Sequence, residues 1–187
     1  MYRTVSIRIN GQVMVLTTVG KAIAKQLQWQ FADADDFHPE ANKVKMGKSI
    51  PLTDEDRIPW LTSIHQYIKT LFTEGNNGVV TCSALKKMYR VILTSGEVTA
   101  DNGAEKLPVL FVNLKGERDL IIKRMEGRSG HFMPVSLLDS QLAILEEPDM
   151  SEEAVTVSID NSIDDIVALV MEECEKRLSR SVKGDVS

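Results

Sequence analysis

Three carboxylates and an imidazole fall within the six residues Asp33-Ala34-Asp35-Asp36-Phe37-His38. Alternate carboxylates at a strand end can point into one cleft, where one holds a hydrated divalent cation and the other accepts a proton from a substrate hydroxyl. The same residues could equally form a solvated acidic loop. Arg57, one turn into a following helix, is either aimed back at that cleft or is an exposed helix charge. A hydroxyl and three cations follow a second apolar run: Ser83, Lys86, Lys87 and Arg90 in residues 82–90, CSALKKMYR. Hydroxyl, guanidinium and helix N–H donors suit a polyhydroxylated or anionic ligand. The alternative is a basic surface helix, above all for Lys86 and Lys87. Arg124 and Arg128 lie four residues apart, on one helical face, just before the turn Gly130-His131-Phe132. Arginines on a flap can close over transferring phosphates and neutralise charge in the transition state, or can simply be solvated. His65 stands beside an apolar stripe and reads as structural.

Elements able to position these groups are legible as apolar runs alternating with amphipathic segments. Residues 13–16 (VMVL), 29–32 (WQFA), 79–82 (VVTC), 109–114 (VLFVNL) and 155–159 (VTVSI) are the strand candidates. A short helix is expected over 19–27. Thr53 is an N-cap candidate with Asp54, Glu55 and Asp56 in the first turn after it. Ile58, Leu61, Ile64, Ile68, Leu71 and Phe72 then recur at helical spacing. Ile163, Ile166, Val167, Val170, Met171, Cys174 and Leu178 form the stripe of a C-terminal helix. Strands apolar on both faces, each followed by a helix, predict a parallel sheet covered on both sides, a three-layer α/β fold. Ligands in such sheets sit outside the carboxyl ends of the strands. The aspartates after Ala32, Ser83 after Cys82, and Asp160 after Ile159 fall at those ends. Residues 96–108 read as a polar loop.

Bulk composition narrows the classes. A chain of 187 residues, 43% hydrophobic and 26% charged, fits one globular domain and argues against disorder. Its net charge of −5 disfavours a generic nucleic-acid or anionic-membrane surface. The apolar runs are too short to span a bilayer, and the first twelve residues lack the apolar core of a signal peptide. Cys82 and Cys174 stand far apart in apolar surroundings, as reduced core residues of a cytoplasmic protein would.

Taken together, residues 33–61 (DADDFHPEANKVKMGKSIPLTDEDRIPWL), 82–90 (CSALKKMYR) and 124–134 (RMEGRSGHFMP) resemble gluconokinase, in the P-loop small-molecule kinase group related to shikimate and nucleoside-monophosphate kinases. The likeness runs from about residue 19 to the C-terminal helix, roughly nine-tenths of the chain. It implies about five parallel strands flanked by helices, a lid over about 117–135, and transfer of the ATP γ-phosphate to O6 of D-gluconate. By position, Asp33 would support Mg²⁺ through water and Asp35 would orient or deprotonate the acceptor hydroxyl. His38, Arg57, Ser83, Arg90 and His131 would hold gluconate, and Arg124 and Arg128 would clamp ATP from the lid. Residues after Ile159 would lie near the adenine. The implied partners are D-gluconate and ATP, with neither nucleic acid nor membrane, and a homodimer rests on the resemblance alone.

One departure stands out. The family carries G-x-x-x-x-G-K-[ST] between its first strand and first helix, where backbone N–H groups, a lysine and a hydroxyl hold phosphates and Mg²⁺. Residues 12–21 read QVMVLTTVGK, and Val15 stands where a glycine is needed before Gly20-Lys21. Lys21 is not assigned the phosphate role. Residues 17–21 look like the helix that follows the loop, so roughly eight loop residues are absent. Residues 1–18 are therefore expected to be an atypical segment in place of the first strand and loop, with the kinase-like domain over 19–187. That segment would come from an alternative first exon or a mispredicted gene start, in a truncated kinase product, or would mark a variant that binds a sugar acid or a kinase partner without turnover. A kinase of another small polyhydroxy acid is a further reading.

Overall fold

The structure is a computed structural model that describes residues 4–9, 13–99, 105–126 and 135–184. Strands β1 (Thr4–Ile9), β2 (Gln30–Asp33), β3 (Gly78–Thr81), β4 (Val109–Lys115) and β5 (Ala154–Ser158) form one sheet in the order β2-β3-β1-β4-β5. Every pairing is parallel, with Asp33 of β2 beside Thr81 of β3. Parallel strands need crossovers, supplied by α1 (Val13–Leu27), α3 (Asp54–Thr73), α4 (Lys87–Ser95), α5 (Arg118–Glu126) and α6 (Val135–Ala143). Helices α2 (Glu40–Gly47) and α7 (Ile163–Gly184) complete the chain. This is the expected three-layer α/β fold with five strands.

Successive residues of β4 serve opposite faces. Leu110, Val112 and Leu114 join Leu16, Val19 and Ile23 of α1 and Ile166 and Val170 of α7 in one core. Val109 and Phe111 join Trp60, Ile64 and Ile68 of α3 and Tyr89, Ile92 and Leu93 of α4 in the other. Both faces of β3 and β4 are buried, which is why those two strands read as continuous apolar runs.

The strand expected over 13–16 is instead the first turn of α1. Four apolar residues do not distinguish a strand from a buried helix turn. Here Leu16, Val19 and Ile23 continue into one helical stripe. The central strand is Thr4–Ile9, so residues 1–18 supply a first strand, and three residues separate it from α1. The turn at Thr53 behaves as read from the sequence: the Asp56 N–H donates to Thr53 Oγ1 at 3.3 Å and the Thr53 N–H to Asp56 Oδ2 at 2.9 Å. His65 is structural, its Nδ1 lying 3.1 Å from the Leu93 carbonyl in the core.

Candidate active site

Strand β2 ends at Asp33, and the chain turns at once into a single 3₁₀ turn over Ala34–Phe37. Asp33 caps that turn by accepting the Asp35 N–H at Oδ1, 3.2 Å away. Its other oxygen accepts the Thr17 hydroxyl of α1 at 2.7 Å. From below, Trp60 of α3 donates its indole N–H to the Ala34 carbonyl at 2.6 Å. The same indole stacks on His38, with ring centroids 4.2 Å apart and planes 12° from parallel. One buried α3 side chain thus fixes the turn at both ends.

Asp35 and His38 face each other across this turn, His38 Nε2 lying 3.9 Å from Asp35 Oδ1. The Asn42 amide donates to the Asp56 carbonyl at 2.8 Å, which orients it, and its nitrogen also meets His38 Nδ1 at 3.3 Å. His38 Nδ1 is therefore the acceptor and Nε2 carries the proton toward Asp35. Burial, with the Arg57 and Lys43 charges, pushes the imidazole down to about 4, so it is neutral near pH 7. Burial, with the neighbouring Asp33 and Asp36 charges, pushes Asp35 up to about 6. A carboxyl so tuned suits general-base work near neutrality.

A second set of groups comes from the start of α3 and the loop before α4. Arg57 Nη1 donates to the Tyr89 hydroxyl at 3.2 Å, and the hydroxyl donates to Asp54. Lys86 places its ammonium on both Asp54 oxygens at 2.7 and 2.9 Å. The Lys86 and Tyr89 hydrogen bonds hold Asp54 below the usual carboxylate range. Burial and the bond to Asp54 push Tyr89 up to about 12. Arg57 and Lys86 both lie 5.7 Å from the Tyr89 ring centroid. Ser83 follows β3 by two positions and is half-buried. Its β3 neighbour Thr81 is in register with Asp33, so Ser83 and the aspartates share one end of the sheet.

One expected group stands differently, and Arg124 and Lys21 have neighbours of their own. Arg90, expected against substrate, is 2% exposed and turned inward. Its Nη1 donates to the carbonyls of Ala84 at 3.2 Å and Glu146 at 3.0 Å, while Nε and Nη2 grip Glu152. An arginine on a short amphipathic helix is indistinguishable in sequence from a ligand-facing one; only the carboxylate of Glu152, 62 residues away, decides it. Arg124 donates to the Asn161 carbonyl at 2.9 Å and so borders the turn after β5. Lys21 lies 5.5 Å from the Phe31 ring centroid, on an exposed part of α1. Arg128 and His131 lie outside the described residues. Thr17 has no role in the sequence reading; its hydroxyl, one turn into α1, meets Asp33 only in the fold.

Curated relatives match most of the chain. A probable gluconokinase of Rattus norvegicus is 45% identical over 165 residues, covering 83% of this chain and 89% of that protein. The thermosensitive gluconokinase of Escherichia coli is 41% identical over 160 residues, covering 86% and 79%. Among solved structures, a gluconokinase from Sinorhizobium meliloti superposes with a TM-score of 0.80 at 33% identity, covering 98% of this chain and 97% of that one. A sugar kinase from Janibacter gives 0.81 at 34% identity, covering 92% and 94%. No protein-family model matches the chain.

Proposed function

Because this chain belongs to the gluconokinase family, we propose that its cleft receives D-gluconate as phosphoryl acceptor and Mg²⁺-ATP as donor, at a turnover far below that of a kinase with an intact phosphate loop. The observation that carries the acceptor half is the grouping of Asp35, neutral His38 and Arg57 at the end of β2. In this reading Asp35, ionised above about pH 6, takes the proton of the acceptor hydroxyl as that hydroxyl's oxygen bonds to the γ-phosphorus and the bond from the γ-phosphorus to the ADP oxygen breaks, releasing ADP. The His38 Nε2–H and the Ser83 hydroxyl bind acceptor oxygens, and Arg57 supplies the cation for the carboxylate. Arg124, which borders the turn after β5, takes the role of an ATP-clamping arginine.

The residues fit a magnesium ion. Asp33 at the end of β2 and Thr17 one turn into α1, a carboxylate and a hydroxyl held together at 2.7 Å, are hard oxygen donors, as the ion requires. Its chemistry when bound is charge neutralisation on the transferring phosphate.

The residues do not fit the phosphates. If Thr17 is the hydroxyl of G-x-x-x-x-G-K-[ST], the lysine position is Leu16, which is 2% exposed in the apolar core. Three residues between β1 and α1 leave no room for the loop itself. Phosphoryl transfer rests on positioning and charge neutralisation, so this loss costs several kcal/mol, on the order of 10³-fold in rate. The same observation favours a second reading, a sugar-acid-binding protein that acts beside an intact kinase.

ADP release with Mg²⁺-ATP and D-gluconate, alongside the melting temperature with D-gluconate alone, tests both halves. Feeble ADP release and a gluconate-dependent rise in melting temperature are expected. Turnover at an ordinary kinase rate, about 1–100 s⁻¹, would refute the argument from the missing loop. The absence of any thermal shift would refute the acceptor site.

A further inference from the structure

Arg90 is a buried guanidinium at a junction of two segments distant in sequence. One is the loop 82–87, which carries Ser83; the other is the arm 144–153, which returns from α6 to β5. A single nitrogen, Nη1, donates to the Ala84 carbonyl of the loop and the Glu146 carbonyl of the arm. Nε and Nη2 take both carboxylate oxygens of Glu152. Burial works against ionised Glu152, but Arg90 outweighs it and holds the carboxyl below its usual range. Around this centre the Glu146 N–H donates to the Leu85 carbonyl at 2.8 Å, and the Lys87 N–H to Glu146 Oε2 at 2.6 Å. The Lys87 ammonium reaches Asp149 at 2.6 Å and Ser151 at 3.2 Å.

We propose that Arg90 is a positioning residue that locks the Ser83 loop to the 144–153 arm, so that the two open and close as one unit. The geometry gives the reason. Because Ala84 and Glu146 share one nitrogen, neither carbonyl can shift without stretching a charge-assisted bond. The far side of the loop is anchored separately, through Lys86 on Asp54 at the start of α3. The arm continues into β5, where the Phe111 N–H holds the Glu153 carbonyl at 2.8 Å, and then into the turn that Arg124 grips at Asn161. The loop on the acceptor side and the turn after β5 are thereby joined through one buried arginine. The functional meaning of that joint rests on the acceptor reading above; the joint itself does not.

Hydrogen–deuterium exchange on the full chain tests it, comparing the native protein with Arg90→Lys and Glu152→Gln. Lysine keeps the charge and cannot span the four acceptors; glutamine keeps the volume and the arginine, so a folded variant remains if one fails. Amides of residues 84–87 and 146–153 are expected to exchange together, ~10-fold or more faster, while α3 amides from 60 to 71 stay protected. Faster exchange in only one of the two segments, or in neither, would overturn the proposal. D-Gluconate added to the native chain is then expected to slow both segments together. Slowing confined to 82–87 would also overturn it. If D-gluconate slows neither segment, the acceptor reading fails, while the variants' paired acceleration still supports the joint.

Discussion

Replacing Trp60 by phenylalanine separates the two tasks of that side chain. The indole N–H is the donor to the Ala34 carbonyl at 2.6 Å, and the residue is 2% exposed. Phenylalanine removes the side-chain donor from that buried carbonyl, at about 1–3 kcal/mol. The smaller ring also leaves a void against the second core, worth about 1–2 kcal/mol. Together the expected loss is about 2–5 kcal/mol in urea denaturation followed by far-ultraviolet circular dichroism. For a domain of this size, that corresponds to a fall in melting temperature of roughly 5–15 °C. The damage should reach the site, because the same ring stacks on His38 and the same bond holds the turn bearing Asp35. Weaker D-gluconate binding is therefore expected in the folded variant, by calorimetry at a temperature well below its melting point. A loss under ~1 kcal/mol, with unchanged D-gluconate affinity, would refute the claim that Trp60 builds this turn.

Further expectations follow from the same geometry. Asp35 acts as a base only when ionised and its pKa is about 6, so gluconate-dependent ADP release should fall ~10-fold per pH unit below that point. Asp35→Asn should lower the rate and flatten the profile. His38, pushed from 6.5 to about 4, favours folding above pH 6.5 and loses that contribution as the pH falls toward 4; in His38→Gln the acid decline of the melting temperature should be shallower over that window. A methyl group on Gly116 would lie 2.3 Å from Ile159 Cγ1, so Gly116→Ala should cost about 1–3 kcal/mol. Ile159→Val should recover part of that loss in a double-mutant cycle. Thr53→Ala removes one half of the capping box at the start of α3 and should cost about 1 kcal/mol in thermal or urea melts.

The α/β class, four of the five strand positions to within a residue or so, and the α3 start at Thr53 were all legible in the residues alone, because these depend on local pattern: apolar runs, helical spacing and a capping side chain. The sequence also placed Asp33, Asp35 and Ser83 at strand ends, since the carboxyl ends of a parallel sheet are readable once the strands are. The first strand was not legible. Thr4–Ile9 alternates polar and apolar residues where a central parallel strand ordinarily runs apolar, and the stretch 13–16 offered a more apolar decoy that belongs to α1. Arg90 shows a second limit. Its sequence reading is a ligand-binding guanidinium, and a guanidinium's role is set by which acceptor lies within about 3 Å. For Arg90 those acceptors are Ala84, Glu146 and Glu152. Asp35 was legible as a carboxylate but not as one near pH 6, because that shift comes from burial and from two flanking charges brought together by the 3₁₀ turn. Residue type and spacing name the chemistry available. Partner choice, burial and protonation depend on contacts between distant segments, and those exist only once the sheet and its two helical layers have closed around them.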